Sequence, residues 1–272
     1  MGFVGGKTVL LCSEKPRKHL IIPDRQANPR SRHHVDTAIG NFIVAHRPDV
    51  IVNIGDHADM ESLSTYDVGK RTFEGRRYTN DVNASIAAHE AMWRPVDDYN
   101  AKQRKNGHKI YKPLTALTIG NHENRITRAI QDDAKMEGLI SIDDLQYSRW
   151  YQHVMPFLEP IVIDGVCYVH YAFKKMPNQA IGGKHQARSI LDTQMLSTTV
   201  GHTPEFDYAE SYRGDDKRIQ CIVAGACFEH YEEYAGARNR RYWRGIILKH
   251  DVKDGNYDFE TISLDRLIKN YS

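Results

Sequence analysis

The chain has 272 residues, of which 40% are apolar and 26% charged, and its formal net charge is +2. That balance is ordinary for a globular protein with a real core. It excludes the strong global field of a nucleic-acid-coating or membrane-adsorbing protein, although local basic patches stay open. The four cysteines (Cys12, Cys167, Cys221 and Cys227) lie in apolar stretches without CxxC spacing, which favours buried free thiols in a reducing compartment over a disulfide framework or a zinc site.

The apolar run from Val9 to Cys12 is too short for a signal peptide or a membrane helix, so the expectation is a cytoplasmic protein with no membrane partner. Gly6-Lys7-Thr8 has the ending of a phosphate loop, but the required first glycine would fall on Met1, and that reading is discarded. Lys18 to Asp24 (KHLIIPD) and Asp49 to Gly55 (DVIVNIG) are short apolar runs. Between them Val35, Ile39, Phe42, Ile43 and His46 recur at helical spacing, which predicts strand, helix, strand. The long connection from Glu61 to Lys112 opens with a polar, basic stretch. It continues from Ala84 to Lys105 with helix formers interrupted by Pro95, which predicts a helix broken or kinked there. Connections this long usually bind substrate or act as lids, so a substrate or lid insertion is expected at about 61–112.

Leu114 to Ile119 reads as a third strand and the stretch after Glu123 as a helix, giving a βαβ-type half with a largely parallel sheet. After about residue 158 the texture turns to β. Asp164-Gly165 and Asp254-Gly255 are hairpin signals, LSTTVG (196–201) and RIQCIVAG (218–225) are further strands, and one short helix is expected near Lys184 to Asp192. Candidate ligands are spread over both halves, so one domain over 1–272 with two packed sheets fits better than two independent domains.

Those candidates stand at five strand ends: Pro23-Asp24-Arg25-Gln26, Gly55-Asp56-His57-Ala58-Asp59, Gly120-Asn121-His122-Glu123, Val169-His170-Tyr171 and Gly201-His202-Thr203-Pro204. Each alone has an ordinary explanation as a turn or a hydrogen-bonded structural residue. Together they put oxygen and nitrogen donors at the carboxyl ends of strands, where open α/β sheets keep their sites.

At these residues the chain resembles the calcineurin-like metallophosphoesterase superfamily, over roughly residues 18–204, and looks most like its bacteriophage-encoded members. The resemblance implies an α/β fold, a two-sheet β-sandwich flanked by helices in αββα layers, and a single phosphoesterase domain. It implies two divalent metal ions, Mn²⁺ first, with Mg²⁺, Fe²⁺ or Zn²⁺ as alternatives. Asp24 and Gln26 would hold the first ion with the bridging Asp56, and Asn121, His170 and His202 would complete the second. A bridging carboxylate suits the roughly 3.5–4 Å spacing of two-metal hydrolysis, in which a metal-bridging hydroxide attacks phosphorus. His122 would protonate the leaving alkoxide with Asp59 orienting its ring, while Glu123 is read as structural.

Two departures from the pattern stand out. Gln26 replaces a usual histidine, and Pro204 stands where many members have another, so the first site is expected to bind weakly and to prefer Mn²⁺ or Mg²⁺ to Zn²⁺. His33, His34, His57 and His230 could add a further ligand, although each reads first as a surface or structural residue. Met60 occupies the position of a phosphate-clamping arginine in related phosphatases. Arg125 and Arg128, or Arg76 and Arg77 with Lys70 and Arg71 in the long connection, would supply the clamp instead. Tyr66, Phe73 and Tyr78 interleave with the cations of the long connection, and Tyr231, Tyr234, Tyr242 and Trp243 with Arg238, Arg240 and Arg241, which favours a nucleotide or nucleic-acid phosphodiester as substrate. The alternatives are a phosphomonoester or a dinucleoside polyphosphate, and, in a different class, a non-catalytic metal-bound scaffold or nucleic-acid binding protein.

Overall fold

The structure is a computed structural model and describes residues 8–65, 69, 71–174, 179–230 and 233–272, without the side chains of 72, 233–235 and 238. Lys70, Tyr66 and Tyr231 therefore lie outside the described residues, as does the side chain of Tyr234. In chain order the strands are β1 (Val9–Leu11), β2 (Arg17–Ile22), β3 (Val50–Asn53), β4 (Leu114–Thr118), β5 (His153–Met155), β6 (Ile161–Ile163), β7 (Val166–Tyr168), β8 (Thr198–Val200), β9 (Phe206–Tyr212), β10 (Arg218–Ala224), β11 (Gly245–Lys253) and β12 (Asn256–Ser263). The α-helices are α1 (His34–His46), α2 (Tyr78–Lys105), α3 (Asn124–Asp132), α4 (Gln186–Gln194) and α5 (Leu264–Tyr271).

HLII, VIVN and TALT do not alternate between apolar and polar, as strands covered on both faces need not. They form the parallel centre of one six-stranded sheet, ordered β12-β11-β2-β3-β4-β5, in which β11 runs antiparallel to both of its neighbours. The second six-stranded sheet is ordered β1-β6-β7-β8-β10-β9 and is also mixed. Successive side chains of a strand point to opposite faces. Leu20 and Ile22 therefore pack outward with Ile39, Phe42 and Val96 of α1 and α2, while Ile21 and Val52 face inward against Ile163, Tyr168 and Ile222 of the other sheet. Ile190 and Leu191 of α4 cover Val200 and Val223 on the far side. The result is four layers, helices, sheet, sheet and helices.

Both predicted hairpins form. Asp164-Gly165 (φ 51° and 81°) and Asp254-Gly255 (φ 51° and 87°) have the two positive φ values of the turn that matches strand twist. The turns come from different sheets and touch, since Gly255 donates its N–H to the Asp164 carbonyl at 2.8 Å. Polar groups are buried beside this junction. His19 lies 2.9 Å from the Asp164 carboxylate and 2.7 Å from the Tyr168 hydroxyl, and Lys249 donates to Thr199 Oγ1 at 2.5 Å.

Several expectations need correction. Helix α2 begins at Tyr78 and runs through Pro95 without a break. Proline removes one backbone donor and crowds the preceding turn, but α1 packs tightly against that very turn. A Cβ added to Gly40 would lie 2.2 Å from the Met92 carbonyl oxygen and 2.9 Å from Pro95 Cγ. Among the described residues the second half holds two α-helices, not one, and a 3-10 helix at Glu233–Arg241. The C-terminal α5 is capped by Ser263, whose hydroxyl accepts the Arg266 N–H at 3.3 Å. Strands β11 and β12, from the end of the chain, join the sheet built by the first half. Cys12 is exposed, while Cys167, Cys221 and Cys227 are buried free thiols. Among the described residues, no helix is long and apolar enough to cross a membrane.

Two predictions follow from the packing. Gly40→Ala gains about 1 kcal/mol of helix propensity yet should lower stability by roughly 1–3 kcal/mol through overpacking, read as a lower urea midpoint; an unchanged midpoint would mean that α1 and α2 separate freely. Burial pushes His19 and His89 from 6.5 down to about 4. The unfolded chain takes up these protons near 6.5 and the folded chain only near 4, so this stability is full above 6.5 and disappears as pH falls toward 4, by up to roughly 3 kcal/mol for each group. His89→Gln should flatten the dependence of the urea midpoint on pH over that window, and an identical slope in wild type and variant would refute the neutral burial of His89.

Candidate metal centre

All five predicted segments leave the carboxyl ends of strands, and their side chains meet. Asp24 follows β2, Asp56 follows β3, Asn121 follows β4, and His170 and His202 follow β7 and β8 of the other sheet. Asp24 Oδ1 accepts the His202 N–H at 3.1 Å, and Asp56 Oδ2 lies 3.2 Å from His170 Nε2. Asn121 Oδ1 sits between the two imidazoles, 2.9 Å from His170 Nε2 and 2.6 Å from His202 Nδ1. The ligand atoms of Asp56, His170 and His202 all fall within 4.8 Å of one another. The cradle is tight, because a Cβ on Gly120 would lie 2.1 Å from Asp56 Oδ1 and one on Gly201 2.6 Å from Asp24 Oδ1.

These donors have the chemistry of a divalent-cation site. His170 Nδ1 is 2.9 Å from the Ile54 carbonyl, to which it donates its N–H, so that Nε2 is the ring atom turned toward Asp56 and Asn121. Asp24 and Asp56 are buried close enough to compete. Burial and the charge of Asp56 push the Asp24 carboxyl up to about 7. Burial would also raise Asp56, but His170 and His122 outweigh it and hold that carboxyl well below the usual range. At His170 the nearby Asp56 overcomes burial and raises the imidazole to about 9, whereas burial and the neighbouring His170 lower His202 to about 4. Two carboxyls sharing a dry site at the expense of one ionisation are relieved by a cation.

Glu123 holds the ligand loops in place. Its fully buried carboxylate accepts the N–H groups of Asp56 (3.0 Å), His57 (2.7 Å), Ala58 (3.0 Å) and Gly120 (3.0 Å), together with the Tyr147 hydroxyl (3.0 Å). The structural role read from the sequence is what the geometry gives. Backbone strain gathers in the same place, since Gln26, Asp56, Met60 and His202 have φ of 45°, 49°, 49° and 67°. Such left-handed non-glycine residues persist where the surroundings over-determine them.

His122 and Asp59 also pair as predicted. His122 Nδ1 lies 3.2 Å from Asp59 Oδ1 and 3.0 Å from the Asp59 carbonyl, and its backbone N–H donates to Asp56 Oδ1 at 2.8 Å. Burial opposes the imidazolium, but Asp56 and Asp59 together raise its affinity for a proton. Arg125 is brought to this pair, donating to the Asp59 carbonyl at 2.8 Å and standing 3.3 Å from His122 Nε2. Other predicted clamp residues are placed differently. Arg76 is engaged with Glu61, donating to its carbonyl at 3.1 Å, while Arg77 at the start of α2 and Arg128 on α3 are exposed. Tyr78 is tied to Asp144 through its hydroxyl at 2.6 Å, and its half-buried ring packs against the core.

Gln26 departs furthest from expectation. Its backbone N–H donates to the Asp56 carbonyl at 2.8 Å, but its side-chain oxygen lies 3.2 Å from His230 Nε2. Three contributors escaped the sequence reading. Asn28 donates to Asp59 Oδ2 at 3.2 Å, the Tyr171 ring lies 4.9 Å from that of His202, and Tyr147 supports Glu123. Tyr171 directly follows a predicted ligand, which is a usable signal, whereas nothing in the spacing marks Asn28 or Tyr147.

Neither the scan against protein-family models nor the search of curated proteins found a match. Among solved structures the chain is similar to GAP50, the anchor in the inner membrane complex of Plasmodium, over 95% of this chain and 87% of that one, with 11% identity and a TM-score of 0.32. A superposition that loose carries no argument about fold or activity.

Glu123→Gln tests the clamp. Whichever way the amide turns, backbone donors lose their acceptor, so the variant should lose roughly 2–5 kcal/mol in urea denaturation and bind Mn²⁺ more weakly in equilibrium dialysis. Wild-type stability with wild-type affinity would show that the loops hold themselves.

Proposed function

We propose that this protein is a metal-dependent phosphoric ester hydrolase of the calcineurin-like type, acting on phosphodiesters in preference to monoesters. The observation that carries the reading is the meeting of Asp24, Asp56, Asn121, His170 and His202 beside the His122–Asp59 pair. Asp56, Asn121, His170 and His202 would hold one divalent ion, and Asp24, Gln26 and Asp56 the other. When bound, such ions acidify water and polarise phosphoryl oxygens.

The chain's own residues do the rest. Asn121 and the paired histidines fix the donor positions, and Glu123 keeps the two ligand loops from drifting apart. His122, its ring oriented through Nδ1 by Asp59, presents Nε2 as the atom that gives a proton to the departing alkoxide. Arg125, next to that Nε2, is placed to meet a phosphoryl oxygen as the proton moves. The modest supply of free cations favours a singly charged diester over a doubly charged monoester. Arg25 is spent on Asp36 at 2.8 and 3.0 Å, and Arg30 on Glu61 at 2.8 and 2.7 Å.

With Mn²⁺ added, a chromogenic diester should be hydrolysed faster than the matching monoester; the reverse order would favour a phosphatase, and tight metal binding with neither activity a scaffold. His122→Ala should keep the fold and the metal while slowing turnover by roughly 10²- to 10⁴-fold, and an unaltered rate would remove His122 from the acid role. Asp56→Ala should lose both ions by metal analysis, so two ions retained would refute its bridging position.

A further inference from the structure

The aromatic and basic stretch that ends at Arg244 has no part in the metal centre, and the fold places its last three residues around a hollow of about 400 Å³. Tyr242, Trp243 and Arg244 line it together with Leu264 and Asp265 from the start of α5 and with Glu229. Arg244 is the group left unsatisfied there. Its Nε is buried without a partner, and among the described residues its guanidinium makes one hydrogen bond, to the His230 carbonyl at 3.4 Å, and no ion pair. Arg25 and Arg30, by contrast, each grip a carboxylate with two bonds. The Arg244 cation is instead 5.5 Å from the ring centres of both Phe228 and Tyr242, which steady it without offering it an acceptor. A half-buried guanidinium that has lost water at one nitrogen and gained no counter-charge is stabilised by acceptors brought in by a ligand.

We propose that this hollow receives a nucleobase of the phosphodiester substrate, stacked on the aromatic lining and accepting hydrogen bonds from Arg244. The inference rests on the phosphodiesterase reading above and names what the ester carries. The lining chooses between ligand classes. Two carboxylates, Glu229 and Asp265, face the same hollow as Arg244 and would repel a bare phosphate, and only Glu229 is partly offset, by His34 at 3.0 Å. A base edge suits the mixture, because it presents acceptors to an arginine and N–H donors to a carboxylate; guanine O6 and N7 match a guanidinium fork. Aromatic faces stack any base.

The backbone places the hollow beside the metal centre. Beyond β10, Ala226 makes a bridge to Asp24 on one side and to Arg244 on the other. Cys227 donates its N–H to the Asp24 carbonyl at 2.7 Å, and Gly245 donates to the Ala226 carbonyl at 2.9 Å. Neighbouring strands stand about 4.8 Å apart, so the Arg244 backbone is about 10 Å from that of Asp24. Because β11 runs antiparallel to β2, its first residues lie at the sheet end where β2 delivers Asp24. The Leu264 N–H donates to the Arg244 carbonyl at 2.8 Å and fixes the start of α5 to the same row. A diester held at phosphorus by the metal centre therefore has a base-sized hollow within the reach of its nucleoside part.

Guanosine is the probe, because it carries a base and no phosphate for a cation to hold, and ribose is its control. Added to the full chain without metal, guanosine should quench tryptophan fluorescence, ribose should not, and Trp243→Phe should lose the quenching. Arg244→Gln and Tyr242→Leu should each weaken guanosine binding roughly 10- to 100-fold, with a urea midpoint showing that each is folded; either variant alone suffices for the test. In turnover with Mn²⁺, Arg244→Gln should raise the KM of the p-nitrophenyl ester of guanosine 5′-monophosphate at least about 10-fold more than that of bis(p-nitrophenyl) phosphate, which has no base. Guanosine that binds no better than ribose, or equal KM changes for the two esters, would overturn the proposal. A wild-type chain that binds guanosine but hydrolyses neither ester would overturn the hydrolase reading and leave the base site standing.

Discussion

Glu123 takes hydrogen bonds from the N–H groups of Asp56, His57, Ala58 and Gly120, and so ties the loop after β3 to the loop after β4 through a single carboxylate. The remaining geometry depends on that bond set. Asp56 adopts a left-handed backbone that is costly for a residue with a side chain, and the carboxylate that accepts its N–H helps to make the conformation permanent. From that position Asp56 can face His170 and His122 together, one from each sheet. Loss of one acceptor would release several buried donors at once, which is why this residue contributes more than its own contact.

The electrostatics of the centre follow from the same crowding. Two carboxyls and one imidazole are buried, and a second imidazole half-buried beside them, where water screens little, so their proton affinities are driven apart, with Asp24 raised and Asp56 lowered, His170 raised and His202 lowered. The core around them provides the rigidity. The inter-sheet layer of Ile21, Val52, Ile163 and Ile222 keeps the carboxyl ends of strands from both sheets side by side, and the touching hairpin turns at Gly165 and Gly255 tie the sheets again away from the centre.

A good part of this was legible in the sequence, for identifiable reasons. Strands β2, β3 and β4 announce themselves because central parallel strands are apolar on both faces, and the Asp-Gly turns because few other pairs accept two positive φ values. Five short motifs were enough to nominate Asp24, Asp56, Asn121, His170 and His202, all of which meet. Other elements left weaker traces. Strand β9 is half-exposed and rich in polar residues, so it shows no period. Helix α2 contains a proline that local rules read as a break, and only the close pass of α1 at Gly40 shows how the turn is accommodated.

What the sequence determined by itself was the set of donors and the strand ends that carry them, because ligand chemistry and backbone turns are written in residue types a few positions apart. What only the tertiary structure decided were contacts between segments far apart in the chain. The pairing of Gln26 with His230, the engagement of Arg76 by Glu61 and the placement of Arg125 beside His122 are of that kind. Side chains of one type are interchangeable in a sequence, and they become distinct only when packing sets the distance and direction to a partner.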